Sequence, residues 1–467
     1  MQAVAGVVTT GIYCRAGCSA QPLAQNVRRF AIPAAAEAAG YRACLRCRPY
    51  RLPPVPVGIQ SELVCRAVHL IVVDGALDDG TESSLAERLG VSARHLRRLF
   101  TTQLGVTPDG LGRSARAHFA RRLLDETDLT ITEIAFVAGF GSLRQFNRVC
   151  REIFRVSPSD LRAKRRRSDR LVADGGLALR LAFEGPLDWP AMIESLGEPA
   201  VPGVEHVSGD VYRRTVLVDG DPGVLELLPG GDDHIVLRVH LPHWRELLHV
   251  VRHARQIASL DSDTSEPVRQ LSRDPVVGPL VRARPGVRVP GTWDAFEAGV
   301  RALIARDLTT ETANSILGRL VELHGRRVPG LDQLGLTHTF PRPAVVAAAD
   351  LTRVGLSAAK AAAVRAFAAA TAAGTLQLDR GTGLERLVAS IDAIPGVGTS
   401  TAHYVALRLG EPNAFPLSGR QLARIQVYSR PARAAVGSQW RPWRALAVAH
   451  LWAAGSLREP VAQKGAA

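Results

Sequence analysis

The spacing of apolar residues divides the chain into three stretches. From 59 to 161, apolar positions recur every three or four residues, which predicts amphipathic helices almost throughout. From 177 to 240, apolar and polar residues alternate, which predicts strands. Helical spacing returns from Trp293 onward, with alanine-rich helices at 357–373 and 442–454. The pattern predicts a multi-domain, mainly α-helical protein with a mixed α/β region in its middle.

Two breaks in composition separate these stretches. Proline-rich sequence at 49–58 ends a cysteine-containing segment, and a basic run at 162–176 ends in Asp174-Gly175-Gly176. A length of 467 residues also favours several domains. We therefore expect a small N-terminal α/β domain at 1–52, a helical domain at 59–163, a mixed α/β subdomain at 177–285 and a helical domain at 286–456.

The charge of the chain is unevenly distributed. Residues 1–170 carry 26 Lys and Arg against 15 Asp and Glu, whereas the remainder carries 32 against 29. A basic N-terminal third predicts a polyanionic partner. A GC-rich genome would also raise the arginine count, but it would not place the charge unevenly.

Cysteine usage and hydropathy indicate the cellular compartment. Four of the six cysteines form two close pairs, which favours reduced, metal-binding thiols over disulfides. The other two, Cys65 and Cys150, lie on apolar helical stretches and are expected in the core. We see no signal peptide and no apolar run near the ~20 residues that a membrane span needs. The prediction is a cytoplasmic protein that is monomeric and does not associate with membranes.

The paired cysteines are Cys14-x3-Cys18 and Cys44-x2-Cys47, with 25 residues between the pairs. This spacing lets two turns converge on one tetrahedral thiolate site, for which zinc is the usual ion. Spacing alone is equally consistent with a zinc ion that only stabilises a small domain.

The residues around these pairs give the site a more specific meaning. The segments 9–18 and 40–49 resemble the Ada-type methylphosphotriester repair domain. The resemblance implies that Cys14 is a methyl acceptor and that zinc holds its sulfur as a nucleophilic thiolate. Loss of one negative charge on methylation would then strengthen binding to DNA phosphates.

Two helix-turn-helix patterns follow in the helical stretch. In the first, 84–100, Gly90 permits the turn and Ser92 caps the second helix; the second copy covers 131–147. Together they resemble the AraC-type DNA-binding domain, although a helical bundle with a basic solvated face is the alternative. The resemblance implies double-stranded promoter DNA as a partner, with RNA polymerase as a further one. The expected DNA contacts are Arg94, Arg97, Arg98, Arg144, Gln145 and Asn147.

The C-terminal half contains a helix-hairpin-helix pattern at 394–398. The backbone N–H groups near Gly396 and Gly398 are expected to hold a DNA phosphate. With the segments 284–297 and 441–452, this pattern resembles AlkA-type 3-methyladenine DNA glycosylases, whose helix-hairpin-helix fold it implies from about residue 177.

The same resemblance implies a pocket for an alkylated base. Tyr404 and Trp452 match the aromatic residues that would hold a flipped, cationic purine, although simple core packing is the alternative. Ser400 stands where lyase-competent relatives have a lysine, so no Schiff base is expected and any activity would be monofunctional hydrolysis.

The catalytic carboxylate of this family is missing at its expected position. In the resembling enzymes the aspartate lies four residues after the residue that matches Phe415, and here that residue is Gly419. After Asp392 the only acids are Glu411 and Glu459, and neither is at the matching position.

Three functional hypotheses follow from these resemblances. The first is an alkylation-response protein that combines a transcriptional regulator, methyl acceptance at Cys14 and excision of 3-methylated purines. The second replaces excision by lesion binding alone, because Gly419 cannot act as the acid. The third is a nonspecific DNA-binding protein, whose affinity would ignore lesion and sequence and fall steeply with salt.

Overall fold

The computed structural model describes residues 4–15, 17–20, 22–51, 61–171, 175–417, 421 and 438–455. Residues 52–58 of the first predicted linker and 172–174 of the second lie outside the described residues. The chain divides into two compact units, the first of which holds residues up to Phe183 with 236–238 and 243–252, and the second the rest. The protein is multi-domain and mainly helical, as predicted, and no helix among the described residues is both long and apolar enough to span a membrane.

The first unit begins with a four-stranded sheet and continues as helices. Strand β1 lies between β3 and β2 and is antiparallel to both, whereas β2 and β4 are parallel. The elements are β1 Val4–Val7, β2 Ile12–Cys14, β3 Val27–Phe30, α1 Pro33–Ala38, β4 Arg42–Ala43, α2 Glu62–Val72, α3 Glu82–Arg88, α4 Ala93–Leu104, α5 Pro108–Glu126, α6 Ile131–Val137, α7 Leu143–Phe154, α8 Pro158–Ala163 and β5 Leu177–Ala182.

The helix boundaries of this unit follow from local chemistry. The Ser92 and Ser142 hydroxyls accept hydrogen bonds from the third backbone N–H of α4 and α7, which satisfies a donor that the helix leaves free. Gly90 and Gly139, in the turns before these helices, have φ values of +70° and +76°. That conformation favours glycine, so each turn is set by its sequence.

Apolar side chains of the sheet and of the first helices share one core. Tyr13 and Phe30 of the strands belong to the same buried cluster as Ile71 and Phe100. The cysteine-containing segment and the first helix-turn-helix therefore fold as parts of one unit.

One expectation about the core was wrong. Cys150 is fully buried on α7, but Cys65 is exposed on α2. Helix α2 turns Val64, Ala67 and Val68 inward, and at 3.6 residues per turn position 65 points away from that face.

The second unit contains an antiparallel meander and the remaining helices. Strand β7 pairs with β6 in the register Glu205↔Arg214 and with β8 in the register Tyr212↔Leu227. Strand β9 and helix α10 carry residues of both units. The elements are α9 Trp189–Gly197, β6 Glu205–Ser208, β7 Val211–Val218, β8 Asp221–Gly231, β9 His234–His240, α10 Leu247–Ile257, α11 Ser265–Leu271, α12 Val277–Ala283, α13 Ala295–Ala305, α14 Thr310–His324, α15 Pro343–Ala348, α16 Ala358–Ala372, α17 Leu384–Asp392, α18 Thr399–Arg408 and α19 Arg444–Ala453.

A buried charge network joins the meander to α13. Arg214 donates to Glu297 at 2.8 Å and lies 3.4 Å from Glu205, while Arg301 donates to the other oxygen of Glu205 at 3.0 Å. All four side chains are at most 5% exposed. Two cations and two anions compensate one another, so the network can exist in a dry core.

Candidate functional site

The four paired cysteines come together at the edge of the small sheet. Cys14 ends β2 and Cys44 follows β4, and the parallel pairing of these strands brings both to the same place. All four Sγ atoms of Cys14, Cys18, Cys44 and Cys47 lie within 4.8 Å of one another. Zn–S bonds of about 2.3 Å in a tetrahedron place sulfurs roughly 3.8 Å apart, so the donor set fits zinc. This is a zinc-binding cluster.

The four sulfurs are not equivalent. Burial raises the pKa of the Cys14 thiol, and the neighbouring Cys47 and Cys44 raise it further. Burial also opposes ionisation of Cys44, but the backbone N–H groups of Cys47 and Arg46 outweigh it and lower its pKa, the latter donating to Sγ at 3.4 Å. Cys14 therefore depends on a bound cation to become a thiolate at neutral pH.

A buried carboxylate connects the cluster to the helices of the same unit. Glu37 of α1 accepts hydrogen bonds from the Tyr13 hydroxyl and the Ser114 hydroxyl, each at 2.6 Å, and lies 2.6 Å from Nε2 of His118. Tyr13 immediately precedes Cys14, whereas Ser114 and His118 belong to α5. Burial opposes the charge of Glu37, but His118 and the two hydroxyls together lower its pKa.

Two further polar contacts involve residues that follow the second cysteine pair. Arg48 donates two hydrogen bonds to Asp169, at 2.6 and 2.7 Å, and Tyr50 donates to Asp125 of α5 at 2.9 Å. Paired N–H donors on one carboxylate are a strong and directional arrangement. The polypeptide around the cysteines is thus held to the helices by specific polar groups as well as by its core.

In the first helix-turn-helix, the predicted contact residues lie on the exposed side of α4. Arg94, Arg97 and Arg98 are all exposed. Arg97 is engaged by Glu82 at 2.7 Å, and Arg98 lies 3.2 Å from Nδ1 of His95. Arg94 and Arg98 therefore present more uncompensated positive charge than Arg97.

In the second motif, Arg144 is exposed in the first turn of α7. The other two predicted contacts already hold local hydrogen bonds. The Gln145 carbonyl oxygen accepts from the Gly141 N–H at 3.0 Å, and the Asn147 amide donates to the Leu143 carbonyl at 2.9 Å. The two motifs thus offer different groups to a ligand.

The hairpin of the second unit joins α17 to α18. Gly396 has φ +82°, and a Cβ there would lie 2.7 Å from the Cβ of Ala363, so only glycine fits without strain. Gly398 precedes the first turn of α18, where free backbone N–H groups are available to an anion. Arg306 donates to the Gly396 carbonyl at 3.0 Å and adds a cation to this surface.

The two predicted pocket aromatics face each other. The ring centroids of Tyr404 and Trp452 are 6.5 Å apart at an interplanar angle of 53°. Tyr404 is 2% exposed and packs in a small cluster with alanines of α13, whereas Trp452 is half-buried. The guanidinium of Arg408 lies 5.8 Å from the centre of the Tyr404 ring. Core packing therefore accounts for much of the Tyr404 environment, and Trp452 has the more accessible ring.

The position of the missing acid, Gly419, lies outside the described residues. Among the described carboxylates nearby in sequence, Glu411 is engaged by Arg380 at 3.2 Å and Asp392 accepts from the Thr399 hydroxyl at 3.0 Å. The Ser400 hydroxyl donates to the Pro416 carbonyl at 2.5 Å.

Three family models match the chain in the predicted order. They are the metal binding domain of Ada at residues 1–50, a helix-turn-helix domain at 85–164 and the AlkA N-terminal domain at 178–294. A Mycobacterium tuberculosis protein described as a probable bifunctional transcriptional activator/DNA repair enzyme AlkA is 38% identical over 471 residues, which cover 98% of this chain and 94% of the relative. The chain belongs to this family.

Other relatives of this bifunctional activator/repair family match separate parts. The Escherichia coli DNA-3-methyladenine glycosylase 2 is 29% identical over 58% of this chain and 95% of its own length. The Escherichia coli bifunctional transcriptional activator/DNA repair enzyme Ada is 31% identical over 34% of this chain and 44% of its own length. Among solved structures, the Archaeoglobus fulgidus 3-methyladenine DNA glycosylase shares the fold, with a TM-score of 0.51 and 21% identity over 59% of this chain and 98% of its own.

Sequence reasoning missed the polar residues that connect the zinc cluster to the helices. Glu37 carried a usable signal, because it is the only acidic residue among the first 61 and stands alone in an alanine-rich helix. Arg48 and Asp169 gave no signal in the sequence, because 121 residues separate the two partners.

Proposed function

We propose that this protein is an alkylation-response regulator that accepts methyl groups at Cys14 and carries a 3-methyladenine-type glycosylase module. The observation that supports it best is the position of the zinc-binding cluster. It lies in the same compact unit as both helix-turn-helix motifs, and Glu37 joins the residue before Cys14 to α5. A chemical change at the cluster thus has a short structural route to α5, the helix that lies between the two motifs in sequence.

The proposed acceptor step is a direct displacement. The Cys14 sulfur attacks the methyl carbon of a phosphotriester, an S–C bond forms, and the C–O bond breaks with its electron pair retained by the phosphate oxygen. Zinc held by the four cysteines supplies the positive charge that keeps the sulfurs ionised. The protein surface becomes less negative by one charge, which favours binding to phosphates.

Exposure makes the choice of acceptor testable. Cys14 is 4% exposed, whereas Cys18 and Cys47 are more accessible. Cys44 and Cys47 receive backbone hydrogen bonds, which reduce the nucleophilicity of a thiolate, and this favours Cys14 despite its burial. The full chain should be incubated with methylated DNA and its peptides analysed by mass spectrometry. We expect the methyl group on Cys14; a methyl group on Cys18 or Cys47 would show that the assignment is wrong.

For the second unit we propose recognition of an alkylated, cationic base by the half-buried Trp452, with Tyr404 behind it. Cation–π attraction favours a positively charged purine over a neutral one. The hairpin at Gly396 and Gly398 would hold the DNA backbone while the base is flipped out. Hydrolysis would be monofunctional, because the amine that a Schiff base needs is absent at Ser400.

A second candidate function is favoured by Gly419. Hydrolysis by this kind of enzyme uses a carboxylate to stabilise the developing positive charge on the sugar. Glycine has no side chain to do this, and Glu411 and Asp392 are engaged elsewhere. The second unit would then bind lesions without releasing them, and the protein would act as a regulator and lesion sensor.

Release of free base from methylated duplex DNA distinguishes the two candidates. The wild-type chain should be compared with Gly419→Asp, and with Ser418→Asp as a control that puts the same carboxylate one residue away. If the module is silent, only Gly419→Asp should gain activity, by a factor of about 10² or more. Equal release by wild type and Gly419→Asp would overturn the lesion-sensor candidate and favour excision by the natural chain.

For the regulatory function, we propose that a monomer binds promoter DNA through both helix-turn-helix motifs. Two motifs in one chain can occupy two half-sites without a second subunit. RNA polymerase is the partner that transcriptional activation requires. Footprinting of a target promoter should show two protected half-sites at one protein per site; protection that needs two chains would contradict the proposed monomer.

A further inference from the structure

The second helix-turn-helix exposes apolar side chains around its turn. Phe136, on α6, is 53% exposed, and Leu143, the first residue of α7, is 37% exposed. The first motif exposes no large apolar side chain between 82 and 104, where Leu85, Leu96 and Phe100 are buried. Two helices with the same layout therefore present different surfaces.

The polar side chains of the second motif already form hydrogen bonds within the motif. Recognition of adenine by a glutamine or asparagine uses both the oxygen and the nitrogen of the amide. The oxygen of Gln145 is bonded to the Gly141 N–H, and the nitrogen of Asn147 is bonded to the Leu143 carbonyl. Each amide therefore already uses part of its hydrogen-bonding capacity within the motif, and the local bond restricts the direction in which it can meet a base.

The charges around Leu143 are suited to DNA. Arg144, Arg148 and Arg151 are exposed along one face of the same helix, where they can contact phosphates, and Arg148 lies 4.0 Å from Glu152. Leu143 stands in the first turn, and the N-terminal residues of such a helix are those that face base edges. The only apolar group that DNA offers in the major groove is the thymine methyl.

We infer that Leu143, the exposed apolar residue at the start of α7, is a specificity-determining residue that recognises thymine methyl groups in the half-site of the second motif. The first motif would instead read its half-site through the guanidinium groups of Arg94 and Arg98. This inference rests on the proposed regulatory function and adds the chemical basis of its sequence preference.

The test removes the methyl groups from the DNA. A binding site is first selected from random duplexes with the full chain, and each thymine of the second half-site is then replaced by deoxyuridine, which lacks only the methyl. Burial of one methyl contributes enough for a loss of roughly fourfold in affinity. We expect that loss for at least one thymine with the wild-type chain.

A double-mutant cycle assigns the effect to the side chain. Leu143→Ala should bind the unmodified site roughly fourfold more weakly and should no longer distinguish thymine from deoxyuridine. Leu323→Ala, which removes a 49% exposed leucine of the second unit, is the matched control and should retain the full discrimination. Leu143→Ala should unfold at the same temperature as the wild-type chain, which excludes loss of the fold as the cause of weaker binding.

The outcomes separate this inference from the function on which it rests. Failure to select any sequence would overturn the regulatory proposal and the inference with it. Selection of a site whose affinity ignores deoxyuridine, or discrimination that persists in Leu143→Ala, would overturn the inference alone.

Discussion

The two units of this protein use buried charge in different ways. In the first unit, Glu37 connects the segment around the zinc-binding cysteines to α5, and Asp169 binds Arg48 of the same segment. In the second, Arg214 and Glu205 of a meander bind Glu297 and Arg301 of α13, and the acid expected for hydrolysis is a glycine. Buried polar contacts thus surround the proposed chemistry in one unit, whereas in the other they support the fold. We therefore expect zinc removal to lower the stability of the first unit and loss of a buried ion pair to lower that of the second.

Removal of zinc is the strongest test of this difference. A structural zinc contributes on the order of 10 kcal/mol to folding at neutral pH. We expect Cys44→Ser or a chelator to abolish the unfolding transition of the first unit in calorimetry of the full chain and to leave that of the second in place. Cys65→Ser, at the exposed cysteine, is the control and should change neither transition. A shift of both transitions on chelation would contradict independent units.

The second unit should instead depend on its own charge network. Arg214→Met leaves the buried Glu297 and Glu205 without a full complement of cations, which costs about 3–5 kcal/mol. Arg326→Met removes a 53% exposed arginine paired with Asp221 and should cost less than about 1 kcal/mol. Urea unfolding measures the loss of unfolding free energy in each variant. Equal costs would mean that the network adds no more than a surface pair.

Local patterns predicted the elements on which each site stands. Apolar spacing predicted the alanine-rich α16 and α19, the cap Ser92 predicted the start of α4, and cysteine spacing predicted the zinc cluster. These features depend on residues within a few positions of one another, or on a metal that leaves a characteristic spacing.

Features that depend on distant residues could not be predicted in this way. The contact of Glu37 with His118 spans 81 residues and that of Arg214 with Glu297 spans 83. The exposure of Cys65 was mispredicted for a different reason: the apolar spacing of Val64, Ala67 and Val68 defines the buried face of α2, and position 65 lies off that face. The hydrogen bonds of Gln145 and Asn147 join residues only four positions apart, but they were not predicted because they depend on the side-chain rotamer that each amide adopts.

Acid should weaken the first unit through Asp169. Burial opposes its charge, but the hydrogen bonds and charge of Arg48 with the Arg166 N–H outweigh burial and lower the pKa of Asp169 to about 2. Because the folded pKa lies below the unfolded value of about 3.9, this contribution is complete above pH ~5 and is lost as pH falls toward 2. The ionised Asp169 carboxylate contributes about 2.5 kcal/mol to the free energy of unfolding. Unfolding of the first unit should lose this acid dependence in Asp169→Asn; an unchanged pH profile would show that Arg48 does not hold the carboxylate ionised.

The smallest predicted difference lies within the DNA-binding surface of the first unit. Arg97 is engaged by Glu82, whereas Arg94 has no such acidic partner among the described ion pairs. Arg94→Ala should therefore weaken DNA binding by about 1–3 kcal/mol if it contacts a base, and it should reduce the salt dependence by about one phosphate if it contacts the backbone. Arg97→Ala should change affinity by less, because binding through Arg97 first requires its ion pair to break. Titrations at two salt concentrations compare the variants, and a larger loss for Arg97→Ala would show that Glu82 releases the arginine to DNA.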